Sequence, residues 1–514
     1  TVLSRLLGLA GLLLASFVVL DADRPNIVLI MTDDLGFSDI GSYGGEIDTP
    51  NLDRLAAGGV RFQQFYNTSK CAQTRATLLS GRYFPEVAFL PPHKNSVTIA
   101  EVMRNTGYHT LMSGKWHLSG DPIDHGWDRY FGHLAGAVNF FTGVSSKGDM
   151  TFMLDGQPWL PPAEGFYTTD AMTDFALQFL AEENDPDDDQ PFLLYLAYNA
   201  PHYPLHAKEP DVAKYRHRYA EGWDVLRQER HQRQLALGII PADTPLSPRP
   251  ADVPAWSELD GSTRQEHVLT MAAYAGMVDS VDQNLGRIIQ HLENTGEFDN
   301  TLFLFMSDNG GCPFQRTYEE TREQGLMPWD PQSYWTYDKG WAHASNTPFR
   351  WYKQNQHEGG ISSPFIVHWA DGLGGKSGRI VRGPGHLIDI AATLYDIVDA
   401  DYPATIDDHD IGPLRGHTLL PILAGEFAGE PREYWHQFRG NRALRRGDWK
   451  IAVERNMEPD AWELFNIAED RAELHDLSTT KPVLRQTMID RYWQVDAEIK
   501  ANMPARTAVD ADMH

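Results

Sequence analysis

The stretch Asn26-Ile-Val-Leu-Ile-Met-Thr32, followed directly by Asp33 and Asp34, decides the fold. It is a continuous apolar run rich in β-branched residues, which is typical of a central parallel strand buried on both faces. Similar runs recur along the chain, and each is followed by polar residues: 301–307 by Asp308-Asn309-Gly-Gly, 191–198 by Asn199-Ala-Pro-His202, and 109–113 by Gly114-Lys115-Trp-His117. Ligands of parallel sheets bind beyond the carboxyl ends of the strands, so these polar residues are expected to meet in one site.

Helical patterns occupy the segments between these strands. The segment 52–57 begins after Thr49-Pro50, a good cap and first-turn pair, and 99–105 follows a cap at Thr98. The apolar residues of 277–292 fall on one helical face immediately before the strand at 301–307. Strands that alternate with helices predict an α/β fold with a large, mainly parallel sheet flanked by helices.

The length of the chain and a change of pattern near residue 430 predict two units. A chain of 514 residues exceeds the size at which one hydrophobic core stops growing. We expect a catalytic domain over 23–430 and a small C-terminal α+β subdomain over 431–514. In the subdomain, the alternating segment 442–453 predicts a hairpin, Trp462-Glu-Leu-Phe465 a further strand, and 482–502 a closing helix.

The charge of the chain excludes some partners. A net charge of −27 argues against nucleic acid, whose binding depends on cationic contacts to phosphate, and it also disfavours an anionic membrane surface. An anionic substrate would need a locally basic site inside an acidic shell.

The N-terminal segment 5–20 is a charged start followed by an apolar run that is short for a membrane span. It predicts a signal peptide over 1–22 and a periplasmic or secreted protein, and the membrane is a partner only if this segment stays uncleaved. Export favours disulfides, but the two cysteines, Cys71 and Cys312, both lie in motifs, and we do not expect them to pair.

Four residues that follow two of the apolar runs predict a metal site. Asp33, Asp34 and Asp308 are carboxylates and Asn309 is an amide, so all four offer oxygen ligands. Ca²⁺ suits such a set better than Mg²⁺ because it tolerates flexible coordination, and the lack of histidine or cysteine makes zinc a poorer fit. The alternative is that these pairs are ordinary turn residues.

The stretch Asn67-Thr-Ser-Lys-Cys71-Ala-Gln-Thr-Arg75 leads into a helix-compatible run. This order predicts Cys71 near a helix N-terminus, where free backbone N–H groups favour an anion, with Arg75 one turn further on. A small buried cysteine is the alternative. Other candidate anion-binding or proton-transferring groups are Lys115 and His117, which would share a face if the backbone is extended there, His202 and Lys353. The alternatives are a structural Gly-Lys-Trp-His turn packed by Trp116, a capped loop histidine at His202 and a surface lysine at Lys353.

These elements, in this order, resemble the type I sulfatases of the bacterial arylsulfatase-like branch, which belong to the alkaline-phosphatase-like superfamily. The resemblance runs from Pro25-Asn-Ile-Val to Trp462-Glu-Leu-Phe and rests on the following motifs: Asp33-Asp34-Leu-Gly, Cys71-x-x-x-Arg75 with Leu-Leu-Ser-Gly after it, Gly114-Lys115-Trp-His117, Ala200-Pro-His202, Ser307-Asp308-Asn309-Gly-Gly-Cys, and Lys353 five residues before Glu358-Gly-Gly. It implies a large mixed sheet and a small C-terminal antiparallel sheet.

The resemblance also implies an activity and roles for the site residues. Ca²⁺ would be held by Asp33, Asp34, Asp308 and Asn309, with the side chain of Cys71 beside them. A formylglycine-generating or equivalent maturase would oxidise Cys71 to formylglycine, whose hydrate attacks the sulfur of a sulfate ester. The residues that would bind the sulfate, assist the leaving group or regenerate the aldehyde are Arg75, Lys115, His117, His202 and Lys353.

One departure from the family pattern concerns the maturase motif. Members of the family normally carry Pro or Ala two residues after the cysteine, and then Ser, Thr or Cys, whereas this chain has Gln73 and Thr74. Gln73 is therefore expected to affect how efficiently the maturase converts Cys71 to formylglycine. Two other functions remain as alternatives: a phosphomonoester, phosphodiester or phosphonate hydrolase of the same superfamily, and an inactive protein that binds sulfated glycans.

The segments 120–165, 205–265 and 313–350 are expected to determine substrate specificity. The insertion 206–262 is expected to form a wall of the active site. Their aromatic and basic residues would suit a sulfated polysaccharide, an aryl sulfate or plain packing. The residues that prompt this interpretation are Trp223, Arg227, Trp256, Trp335, Trp341 and His343.

Overall fold

The computed structural model describes residues 24–90, 96–183, 190–406, 409–426, 431–458 and 461–503. The signal peptide predicted over 1–22 lies outside these residues.

Ten strands form one mixed sheet, and the apolar run 26–32 lies near its centre. The strands of the chain are β1 Asn26–Thr32, β2 Val60–Phe62, β3 Phe65–Tyr66, β4 His109–Gly114, β5 Arg129–His133, β6 Phe152–Leu154, β7 Gln157–Pro158, β8 Phe192–Ala197, β9 Thr301–Ser307, β10 Phe365–His368, β11 Arg379–Val381, β12 Gly385–His386, β13 Thr405–Ile406, β14 His409–Asp410, β15 Glu433–Phe438, β16 Asn441–Arg446, β17 Trp449–Val453 and β18 Glu463–Asn466. The large sheet has the order β11-β2-β10-β9-β1-β8-β4-β5-β6-β7. Its central strands β9, β1, β8, β4 and β5 run parallel, as expected.

Helices cover both faces of this sheet. They are α1 Pro50–Gly58, α2 Cys71–Ser80, α3 Phe84–Val87, α4 Ile99–Asn105, α5 Thr168–Glu183, α6 Glu209–Tyr215, α7 Gly222–Leu237, α8 Gly261–Thr295, α9 Glu319–Glu323, α10 Asp338–Ser345, α11 Glu358–Ile361, α12 Ile388–Val398, α13 Leu420–Ala424 and α14 Pro482–Ala501. Short 3₁₀ turns are found at Gly41–Tyr43, Pro122–His125 and Trp256–Glu258. The apolar face predicted over 277–292 belongs to α8.

Two hydrophobic cores follow from the alternation of side chains along the central strands. On β1, Val28 and Ile30 contribute to one core, whereas Ile27, Leu29 and Met31 contribute to the other. Successive residues of a strand point to opposite faces, so a continuous apolar run needs cover on both sides. The α/β class with a large mixed sheet is thereby confirmed.

The C-terminal part of the chain forms a separate four-stranded antiparallel sheet, β15-β16-β17-β18, in sequence order. The hairpin predicted over 442–453 is the β16–β17 pair, and α14 packs on the sheet through Tyr492, whose ring lies 5.1 Å from that of Trp462. The domain limits at 430 and 431 stay a prediction. Among the residues described, no helix combines the length and the apolar character that a membrane crossing requires.

A buried ion cluster joins the small sheet to the segment after Lys353. The ammonium of Lys450 on β17 lies 2.9 Å from Glu358 Oε1 and 2.8 Å from Glu473 Oε1, and all three side chains are buried. Arg471 Nε lies 3.4 Å from Glu358 Oε2. Because these charges are buried, each depends on its partners in the cluster rather than on water for compensation.

Lys450→Met is therefore expected to lower the free energy of unfolding by about 3–5 kcal/mol, since it leaves two buried carboxylates without their shared cation. Urea denaturation of the variant and the parent protein measures this change. Lys500→Met is a matched control, because Lys500 is 61% exposed beside Asp496 and is expected to cost less than about 1 kcal/mol. Equal losses in both variants would contradict the structural role of the cluster.

Candidate active site

The polar residues that follow the central strands meet at one edge of the sheet. Asp33 and Asp34 follow β1, Asp308 and Asn309 follow the neighbouring β9, and His202 lies beyond β8. Lys115 and His117 follow β4, which pairs with β8. The parallel register brings these strand ends together, and α2, with Cys71 as its first residue, begins beside them.

Three carboxylates and one amide form a buried acidic cluster. The backbone N–H of Asp34 donates to Asp308 Oδ1 at 3.1 Å, and Asn309 Nδ2 donates to Asp34 Oδ1 at 2.6 Å. The ligand atoms of Asp33, Cys71 and Asp308 lie within 4.8 Å of one another. Those of Asp33, Asp34 and His202 do the same.

The acidic cluster has the chemistry that a hard divalent cation requires. Asp33 Oδ1, Asp34 Oδ2 and Asn309 Oδ1 are buried and have no hydrogen-bond partner among the residues that the structure describes. Unpartnered buried oxygens are costly, and oxygen-only sets of carboxylates and an amide are ligands of Ca²⁺ or Mg²⁺. The residues therefore fit a bound metal of that class.

Buried cations surround the same cluster. The ammonium of Lys115 contacts Asp33 Oδ2, and that of Lys353 contacts Asp34 Oδ1. Arg75 Nη2 lies 3.4 Å from Asp308 Oδ2 and 3.9 Å from Asp33 Oδ2, while its Nη1 donates to the backbone oxygen of Lys115 at 2.9 Å. Burial by itself would raise the pKa of Asp33, but Lys115, His202 and Arg75 hold it well below its ordinary value.

Cys71 is fully buried against two basic side chains. Lys70 Nζ donates to its sulfur at 3.1 Å, and the imidazole of His117 lies near enough to interact with it electrostatically. Burial alone would raise the pKa of the Cys71 thiol, but Lys115 and Lys70 outweigh burial and hold this pKa well below its ordinary value. Burial instead raises the pKa of Cys312, and both cysteines are free thiols, which confirms that they do not pair.

The backbone around His117 differs from the extended path considered for it. Strand β4 ends at Gly114, whose φ is +129° and where a Cβ would lie 2.1 Å from the backbone oxygen of Ala197. His117 has a φ of +57°, so the chain turns rather than extends, and the side chain reaches Cys71 from this turn. Burial lowers the pKa of His117 to about 4, so its imidazole is neutral near pH 7.

A cleft of about 910 Å³ opens above Cys71, and its lining includes three cations that sequence reasoning missed. They are Lys70, Lys147 and Arg439, and the same lining contains one carboxylate, that of Asp149. Lys70 could have been predicted to lie at the site, because it directly precedes Cys71 in the sequence. Lys147 and Arg439 are distant in sequence, and nothing in their local pattern marks them. Gln73 also lines the cleft, so its side chain faces the substrate space.

The aromatic and basic residues considered for substrate contact pack inside the protein instead. Trp223 lies 4.8 Å from Trp256 and 5.5 Å from Trp341, measured between ring centroids. Arg227 donates to the backbone oxygens of Ser247 and His343 at 2.7 Å and 3.1 Å. All six residues are buried, and no residue of the insertion 206–262 lines the cleft, so the expectation that this insertion walls the site is wrong. Of the three segments, 120–165 contributes most, through 134–151.

Comparison with known proteins identifies the fold and the family of this chain. A solved structure titled Ps i-CgsB in complex with k-i-k-neocarrahexaose shares the fold with a TM-score of 0.69 at 24% identity, over 96% of this chain and 98% of that one. The fold is that of the alkaline-phosphatase-like superfamily of hydrolases. The Sulfatase family model matches residues 25–400, and the chain belongs to the sulfatase family.

Two relatives agree with this assignment. An uncharacterized sulfatase of Schizosaccharomyces pombe is 31% identical over 92% of this chain and 94% of its own length. An arylsulfatase of Klebsiella aerogenes is 29% identical over 80% of this chain and 94% of its own length. The protein is a sulfuric ester hydrolase.

Proposed function

We propose that this sulfatase hydrolyses an aryl or carbohydrate sulfate ester with formylglycine made from Cys71 as the nucleophile and Ca²⁺ as the metal. The observation that carries the proposal is the position of Cys71, which lies at the start of α2 between a buried acidic cluster and the cations Lys70, Lys115 and Lys353. The candidate nucleophile, the side chains that could bind a metal and the anion-binding cations thus lie around one point.

Asp33, Asp34, Asp308 and Asn309 would hold the Ca²⁺, with residue 71 beside them. When bound, the metal supplies positive charge that polarises a sulfate oxygen. Arg75, Lys115 and Lys353 add cationic donors around the same point, where negative charge spreads as the ester bond breaks. These groups are already held in place by the carboxylates, so little reorganisation is needed during the reaction.

The two histidines are placed to move protons at different atoms. His117 lies beside residue 71, and its neutral imidazole can take a proton from the nucleophile. His202 Nδ1 lies 2.5 Å from the backbone oxygen of Tyr203, which assigns its proton to Nδ1 and leaves Nε2 facing Asp34 at 3.6 Å. We propose His202 as the acid for the leaving group, a role in which Nε2 must first gain a proton, because the neutral ring carries its proton on Nδ1.

The modification of Cys71 requires a maturase. Replacement of the thiol by an aldehyde takes one oxygen atom, releases the sulfur as sulfide and removes two electrons, so the maturase must use an external oxidant such as dioxygen. The hydrated aldehyde supplies a hydroxyl nucleophile, and its collapse back to the aldehyde releases sulfate. We propose a periplasmic or secreted location, to which the signal peptide predicted over 1–22 would direct the protein.

The proposed function is tested by comparing 4-nitrophenyl sulfate with 4-nitrophenyl phosphate. We expect kcat/KM for the sulfate to exceed that for the phosphate by about 100-fold or more, since the site is matched to a singly charged ester. A preference for the phosphate would favour the phosphate or phosphonate hydrolase instead. Binding of sulfated compounds without turnover, although residue 71 is formylglycine, would indicate an inactive binding protein.

Calcium is expected to stabilise the folded protein. At 100 times its dissociation constant it would add about 2.7 kcal/mol to the free energy of unfolding, because the unfolded chain lacks the preformed acidic cluster. Thermal unfolding after chelation, then with Ca²⁺ or Mg²⁺ at equal concentration, measures the shift. We expect the larger rise with Ca²⁺. An equal or larger rise with Mg²⁺ would contradict the assignment of calcium.

A further inference from the structure

The cleft above Cys71 continues into two further cavities along the surface. The neighbouring cavity has a volume of about 480 Å³ and shares Ala137, Ser146 and Tyr203 with the cleft. A third cavity of about 280 Å³ shares Tyr318 and Tyr334 with the second. The three spaces therefore form one continuous path. We call the second and third cavities together the side groove.

Aromatic side chains form one wall of the side groove. The rings of Tyr318 and Tyr334 stack in parallel with centroids 4.0 Å apart and an angle of 6° between them. Tyr318 is 49% exposed. A large apolar face that stays in water is a common mark of a binding surface, and a flat ring with a polar hydroxyl suits the C–H face and hydroxyl edge of a sugar.

Tyr203 connects the side groove to the reacting centre. Its ring stacks on that of His202, with centroids 4.2 Å apart, and His202 in turn faces Asp34 in the acidic cluster. Tyr203 also lines both the cleft and the second cavity. A chain of sugar rings that leaves the catalytic site along Tyr203 would therefore enter the side groove.

A cation lies over this path without an acidic partner. Arg316 is exposed, donates to the hydroxyl of Tyr203 at 2.6 Å and lies 4.6 Å above the ring of Phe314. Within the described ranges, no carboxylate forms an ion pair with Arg316, although the whole chain carries a net charge of −27. An unpaired guanidinium in such an acidic protein is suited to bind a sulfate group on a neighbouring sugar.

We propose that the side groove binds a sulfated oligosaccharide chain, with Tyr318 and Tyr334 packing on a sugar ring and Arg316 binding a second sulfate. The substrate is then a multiply sulfated oligosaccharide or polysaccharide, rather than an isolated aryl or monosaccharide sulfate. This inference rests on the proposed function, because the scissile sulfate must lie at residue 71. Specificity would come from groups remote from the reacting bond, which add binding without changing the chemistry.

The test measures how strongly a sulfated galactan hexasaccharide and inorganic sulfate inhibit hydrolysis of 4-nitrophenyl sulfate. We expect the hexasaccharide to have an inhibition constant at least about tenfold lower than that of inorganic sulfate. In Arg316→Ala and in Tyr318→Ala, this constant for the hexasaccharide should rise about tenfold, whereas the constant for inorganic sulfate and kcat should stay within about twofold.

Trp493→Ala is the matched control, because Trp493 is 43% exposed and lines none of the three cavities. It should change neither inhibition constant. A hexasaccharide that binds no better than inorganic sulfate would overturn the proposal, as would variants that leave its binding unchanged or that weaken both inhibitors equally. Failure of the parent protein to release sulfate from both 4-nitrophenyl sulfate and the hexasaccharide would instead contradict the proposed function.

Discussion

Cys71→Ala is expected to lower kcat/KM for 4-nitrophenyl sulfate by at least about 10⁴-fold, because alanine cannot be converted to the nucleophile. The side chain is buried and small, so its loss removes the reacting atom with little change in packing. Sulfate release measured under saturating and limiting substrate gives the change in kcat/KM.

Cys312→Ala is the matched control for this experiment. Cys312 is the other free, buried cysteine, and burial raises its pKa, in contrast to that of Cys71. We expect its replacement to keep kcat/KM within about threefold. Comparable activity of Cys71→Ala and the parent protein would exclude Cys71 as the nucleophile position.

Asp308→Asn is expected to give the second largest loss, about 10²- to 10³-fold in kcat/KM, together with loss of the stabilisation by Ca²⁺. Asparagine keeps the shape of the side chain but removes one negative charge from the metal set. It also weakens the pairing of Arg75 Nη2, which lies 3.4 Å from Asp308 Oδ2. Kinetics and thermal unfolding with and without Ca²⁺ measure the two effects.

Asp282→Asn is the control that distinguishes the loss of a metal ligand from the loss of an ordinary buried aspartate. Asp282 is buried, and it accepts the backbone N–H of Leu52 at 2.8 Å and that of Asn51 at 3.1 Å, at the start of α1. Its replacement should cost about 1–3 kcal/mol of stability while the response to Ca²⁺ is kept. A full calcium response in Asp308→Asn would contradict the assignment of Asp308 to the metal set.

The central strands and the order of the site residues could be predicted because local pattern determines them. The apolar run 26–32 is β1 over its whole length, and the predicted cap at Thr98 accepts the backbone N–H of Glu101 at 3.1 Å, at the start of α4. The carboxyl ends of neighbouring parallel strands must meet at one edge of the sheet, so the apolar runs alone predict that Asp33 and Asp308 lie together.

Features that depend on long-range packing could not be predicted. Composition alone could not distinguish a tryptophan that binds sugar from one that packs, and Trp223 and Trp341 prove to be core. Arg439 and Lys147 reach the cleft from segments far from Cys71 in sequence. The positive φ of His117 also escaped prediction, because a positive φ outside glycine leaves no pattern in the sequence.

The central claim is that residue 71, as formylglycine, carries the hydrolysis of sulfate esters. Its most direct test is peptide mass spectrometry of residue 71 on preparations made with increasing amounts of a formylglycine-generating maturase, each assayed with 4-nitrophenyl sulfate. We predict that specific activity rises in proportion to the fraction of residue 71 present as formylglycine and extrapolates to zero for unmodified Cys71. Undiminished activity in a preparation whose residue 71 is entirely cysteine would contradict the account.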